Sequence, residues 1–161
     1  ARIMLRSPDR GYLEDLCRKV VRWVEGASLS SETEAVTQKL TTIYNTKFND
    51  TLYRVVSENL GHFGMELRIP DRFSVSSDFG NVSHYLPAFS FFVKTHKENT
   101  PWHSTHVSDG AISEEANESM ILAAKVLAMS AIDLMAKPDL LGEVKRNFDV
   151  REPSPPGKMI S

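Results

Sequence analysis

Apolar positions recur at two different intervals along the chain, and each change of interval marks an element. Leu13, Leu16, Val20, Trp23 and Val24 lie three and four residues apart, the spacing that lines one face of a helix. Ser7-Pro8-Asp9 precedes them. Ser7 is the expected N-cap, with Pro8 in the first helical position, where a missing N–H costs nothing, and Asp9 in the first turn. Gly26 to Ser28 is the expected end. Leu52, Val55, Val56, Leu60 and Phe63 repeat the helical spacing after Phe48-Asn49-Asp50, and Gly61 and Gly64 close that second helix. From Ala116 to Ala136 the chain is dense in apolar residues, among them Met120, Ala124, Leu127, Ala131 and Leu134. This third helix starts at Ser113 and is expected to be well buried. Lys137-Pro138 ends or kinks it, and a short amphipathic segment runs on to Phe148.

Three runs break the helical period. Residues 1–6 are short and apolar. In residues 34–44, Val36, Leu40 and Tyr44 fall on one alternating face, and residues 85–93 are rich in aromatic side chains. Alternation of this kind predicts half-buried or buried strands. The opening third then reads β-α-β and the chain as α/β. A β-α-β unit of this size leaves strand edges uncovered, so it is expected to belong to a larger sheet. The chain also starts on Ala1, inside a strand-like run, which is how a fragment begins.

Composition narrows the classes. The chain has 161 residues and a formal net charge of −2, with no basic field for nucleic acid or an anionic membrane. No apolar run reaches bilayer-crossing length and no secretory signal is visible, so a cytoplasmic chain is expected. One cysteine, Cys17, excludes an internal disulfide framework, and its helical setting predicts a buried, inert thiol.

Candidate chemistry is sparse. Residues 94–110 are polar, show no regular period and hold His96, His103 and His106. This loop at a predicted strand end is either a site or a solvated loop with incidental histidines. Glu114 and Glu115 could supply a base and a metal ligand, but they come directly after Ser113 at a helix start, where the dipole favours carboxylates in any protein. Asp78 and Asn81 are either a substrate-side polar pair or an Asx turn. Phosphate-binding loops, a Gly-x-Ser-x-Gly elbow and a His-Glu-x-x-His helix are all absent from the sequence.

Three segments resemble the zinc amidohydrolase, aminoacylase and carboxypeptidase family, metallopeptidase family M-twenty, and in particular its aminoacyl-dipeptidase and aminobenzoyl-glutamate hydrolase branch. Ser76-Ser77-Asp78-Phe79-Gly80-Asn81-Val82-Ser83 is similar to the branch's Ser-Thr-Asp-x-Gly-Asn/Asp-Val-Ser segment. Thr100-Pro101-Trp102-His103 is similar to its late metal-ligand motif. The stretch from Ala123-Ala124-Lys125 to Asp139-Leu140-Leu141 is similar to its closing helix. These cover about half the chain, in the family's order.

The resemblance implies residues 1–46 as the second half of a ferredoxin-like α/β lid, through which the family dimerises. Residues 47–150 would be the C-terminal part of an α/β catalytic domain, and residues 151–161 a flexible tail. It further implies two metal ions, usually zinc, with His103 as the last ligand and Asp78 and Asn81 on the substrate side. The substrate would be a small acyl-amino acid or dipeptide and the protein a homodimer. The resemblance places the family's early His-x-Asp motif, its mid-chain glutamate pair and the lid's own histidine upstream of Ala1, and one histidine cannot hold two metals. The chain alone is therefore expected to be inactive. The alternative is a non-catalytic interaction or dimerisation remnant of the same family.

Overall fold

The computed structural model describes residues 1–69 and 77–150. Pro70-Asp71, Ser76 of the Asp78 motif and the predicted tail at residues 151–161 lie outside the described residues. The chain divides into two compact units: Ala1–Lys47 with Ser74–His84, and Phe48–Phe73 with Tyr85–Ser161. The described residues form helices and irregular segments and contain no strand.

The first unit is organised around α1 (Arg10–Ser30). Its N-cap is Asp9, not Ser7: the carboxylate accepts from the Tyr12 amide at 2.5 Å, and the Ser7 hydroxyl accepts instead from the Asp9 amide at 3.1 Å. Pro8 therefore stays outside the helix. An ionised oxygen is the stronger acceptor for an orphan amide, so the start moves to the aspartate. At the other end Ser30 and Ser31 turn their hydroxyls back onto the carbonyls of Gly26 and Ala27, both at 2.8 Å, and carry the helix slightly past the predicted stop. Leu13, Leu16, Val20 and Val24 are half-buried as their spacing predicts. Trp23, at the margin of that face, is 64% exposed. Cys17 is half-buried, not fully enclosed.

The two strands predicted in this unit do not form ladders. Met4, Val36 and Leu40 face solvent, and Tyr44 alone of the alternating trio is half-buried. Alternation identifies the side chains a strand would bury, but a strand exists only where a neighbouring backbone pairs with it. At residues 42–47 that neighbour is replaced by side chains of the turn around α3 (Phe79–Val82).

The second unit is a helical cluster of α2 (Asp50–Gly61), α5 (Glu114–Ala136) and α6 (Pro138–Val150), each packed on the other two. Val56, Leu60 and Val126 form its centre, with Leu67, Phe89, Phe91 and Leu122 against them. Two predicted helix starts are observed: Asn49 caps α2 at the Leu52 amide, and Ser113 caps α5 at the Ala116 amide. Gly64 has φ +69° just beyond α2, a left-handed conformation that glycine adopts without penalty. Pro138 opens α6 after Lys137, where its absent N–H is harmless.

Residues 85–93 have the burial of a strand without its ladder. Ala88 is buried and Phe89, Phe91 and Val93 are half-buried, while Ser90 and Phe92 point outward. Phe89 joins Phe48 and Tyr53 in an aromatic triad with centroids 5.6 to 5.9 Å apart.

Two expectations for α5 fail. Only Ala116, Val126 and Ser130 are buried on it, and Met120, Leu127, Ile132 and Met135 are exposed, so the helix is covered on one side only. It is also long and apolar enough to cross a membrane, because Lys125 and Asp133 interrupt its apolar residues without lowering their average below that mark. Its observed partners are protein: the Asn59 amide of α2 donates to Ser130 Oγ at 3.1 Å and to Asp133 Oδ2 at 3.0 Å.

Candidate functional site

The candidate site residues fall in different units, Asp78 and Asn81 in the first and His103 in the second. His103 lies in a tight turn between residues 94 and 104. The Thr100 hydroxyl donates to the Lys97 carbonyl at 2.7 Å, and the Ser104 hydroxyl to the Pro101 carbonyl at 2.6 Å. Asn99 and His103 both take positive φ, 64° and 60°. For a non-glycine residue that conformation is uncommon and costs about 1 kcal/mol or more. The loop is fastened to α5 through the Ser119 hydroxyl, which donates to the Lys94 carbonyl at 2.5 Å, and through the exposed Lys94–Glu115 ion pair at 3.6 Å.

Trp102 links the imidazoles of this turn. Its ring meets Phe92, His96 and His103 edge-on, each with centroids 6.3 Å apart. Thr95 Oγ1 lies 3.0 Å from His96 Nδ1. His106, in contrast, belongs to a short helix, α4 (Thr105–Gly110), that the polar sequence did not suggest. The signal was Ser104, an N-cap-type residue in extended conformation directly before the turn of helix. His103 lies outside α4 in a left-handed turn, so the two histidines do not share a helix face.

Close to Asp78, three polar side chains are engaged on the backbone of residues 42–47. Asn81 Oδ1 accepts from the Tyr44 amide at 2.7 Å, and Asn81 Nδ2 donates to the Thr42 carbonyl at 3.0 Å. Ser83 Oγ accepts from the Lys47 amide at 2.8 Å and donates to the Gly80 carbonyl at 2.6 Å. His84 Nε2 lies 2.9 Å from the Asn45 carbonyl, which requires the proton on Nε2. Asp78 is exposed, with the Ser77 hydroxyl at 3.4 Å from its Oδ1. Tyr44 is further held by its ring, which stacks on the Arg10 guanidinium at 4.2 Å and meets His84 edge-on at 5.4 Å. Gly80 and Ser83 stood out in the sequence only as members of the motif at residues 76–83 and His84 not at all, because their role here depends on a segment nearly forty residues away.

Glu114 and Glu115 occupy the first turn of α5 behind the Ser113 cap, as their place in the sequence suggests. Asp133 carries the one resolved shift of acidity among the described groups. The Lys137 ammonium, bonded at 2.7 Å, holds its carboxyl below the ordinary value, and the Asn59 amide adds to this. No three His, Cys, Asp or Glu side chains gather into a possible metal site among the described residues. His103 can offer one imidazole, so the donors among the described residues do not by themselves fit the metal pair the family resemblance implies.

No family model matches the chain. It is, however, 30% identical over 153 residues to a Homo sapiens protein named Xaa-Arg dipeptidase, an alignment covering 91% of this chain and 34% of that protein. It is 32% identical over 150 residues to the Mus musculus protein of the same name, covering 89% of this chain and 34% of that one. These relatives are dipeptidases, and the likeness runs through nearly the whole chain. This likeness supports metallopeptidase family M-twenty and its dipeptidase branch. It spans about a third of the length of the curated relatives it matches.

Proposed function

We propose that this chain is the closing, C-terminal part of a metal-dependent amidohydrolase that cleaves the peptide bond of a small dipeptide. The observation that carries this is the alignment of nine-tenths of the chain with one-third of two Xaa-Arg dipeptidases. In this reading residues 1–46 are the second half of an α/β lid through which the protein dimerises, and residues 47–150 are the closing part of an α/β catalytic domain. Residues 1–6 and the part of 34–44 before Thr42 then take up sheet partners from the remainder of the protein. His103 supplies one ligand to a zinc site whose other ligands lie outside this sequence. Asp78 and Asn81 stand on the substrate side, with Asn81 fixing the turn that carries Asp78.

The 161-residue chain alone is then inactive. The test uses a longer protein in which this chain is joined to the portion corresponding to the other two-thirds of the relatives. That protein should hydrolyse a dipeptide ending in arginine, and His103→Ala should abolish most turnover and lower zinc content. His106→Ala should do far less. Hydrolysis by the 161-residue chain alone, or equal losses from the two variants, would overturn the proposal. Failure of every longer form to hydrolyse dipeptides would favour the non-catalytic dimerisation remnant.

A further inference from the structure

The turn around α3 resembles a substrate-side motif, yet its side chains spend their hydrogen bonds on protein backbone. Asn81 occupies the Thr42 carbonyl and the Tyr44 amide, His84 the Asn45 carbonyl, and Ser83 the Lys47 amide. The Thr42 carbonyl and Tyr44 amide are the pair that one edge of a strand offers a partner, and the Asn45 carbonyl and Lys47 amide are a second such pair of opposite parity, which a regular strand would turn to its other edge. We infer that Asn81, Ser83 and His84 form a side-chain ladder that holds residues 42–47 in place of a partner strand, with Gly80 as its spacer.

A primary amide carries a donor and an acceptor side by side, so Asn81 reproduces in one side chain what a paired peptide group offers a strand. Ser83 and His84 extend the pairing toward Lys47. The approach this requires is too close for any side chain on residue 80, because a Cβ there would collide with the Tyr44 carbonyl oxygen. Ser83 is 1% exposed, so the ladder's central hydroxyl is shielded from competing water. The chain leaves this unit after Lys47 and again after His84. The ladder therefore fastens the two exits to one another, and neither can shift without breaking bonds to the other. This device is independent of hydrolysis and concerns this chain alone.

Amide exchange by NMR on the isotope-labelled chain tests it. In Asn81→Leu the Tyr44 amide should exchange about tenfold faster, and in Ser83→Ala the Lys47 amide should do so, the loss expected for one backbone partner. Amides of α1 and of α2, α5 and α6 should keep their rates in both variants. If Asn81→Leu unfolds the first unit, Ser83→Ala decides the matter, since it removes one hydroxyl and adds no bulk. Unchanged protection at Tyr44 and Lys47, or an equal rise throughout α1, would overturn the ladder.

Discussion

Asn49 and Val144 join two helices through one side chain: the Asn49 amide donates to the Val144 carbonyl at 3.0 Å while its own oxygen caps the Leu52 amide at 3.0 Å. Asn49 is 2% exposed. It thus starts α2 and fixes α6 against that start, and the Asp50–Asn147 bonds beside it repeat the link. Asn49→Ala should lose both the cap and the buried bond. A destabilisation of about 2 kcal/mol is expected from urea unfolding monitored by helical circular dichroism.

Val126 is completely buried between Val56 and Leu60. Val126→Ala removes packing where neighbours relax little, and a loss of about 2 kcal/mol is expected in the same assay. Leu127→Ala, one residue along on the exposed side, should change stability by less than about 0.5 kcal/mol. Similar losses at both positions would contradict the one-sided burial of α5.

Gly80→Ala places a methyl group against the Tyr44 carbonyl. Overpacking of this kind should cost about 2 kcal/mol. Gly61→Ala should not, since nothing lies near a Cβ at that helix end. Thermal denaturation of the two variants separates them.

The Asp133 carboxyl is held below its ordinary value of 3.8, first by Lys137 and then by Asn59. A depressed native value means the contribution is fully present above 3.8 and is lost as pH falls through the lower native value. Asp133→Asn should therefore be less stable than the parent at neutral pH and show a flatter decline below 3.8. Parallel pH profiles would show that the pair contributes nothing.

His103 holds φ +60° at a position glycine would occupy freely. His103→Gly should raise the stability of the chain by about 1 kcal/mol in urea unfolding, and His103→Ala should not.

The helices were legible in the sequence because their causes are local. Asn49 and Ser113 each cap an amide within one turn, and the apolar spacing of α1 and α2 reports the half-buried face of the first and the buried face of the second. Strands were not, because a ladder depends on a second backbone, and the partners that residues 42–47 found are an amide, a hydroxyl and an imidazole some forty positions away. The short helix α4 was hidden by polar composition. At the candidate site, His103 was legible through Thr100-Pro101-Trp102-His103, but its left-handed backbone and the aromatic contacts of Trp102 emerge only from the folded turn.

The uncovered side of α5 also has a calorimetric meaning. Heat capacity rises on unfolding because apolar groups enter water, and Met120, Leu127, Ile132 and Met135 are largely in water already. Their share of the rise is absent from the start. The chain has an ordinary hydrophobic content of 41%, yet it should melt with the shallow heat-capacity step of a smaller domain.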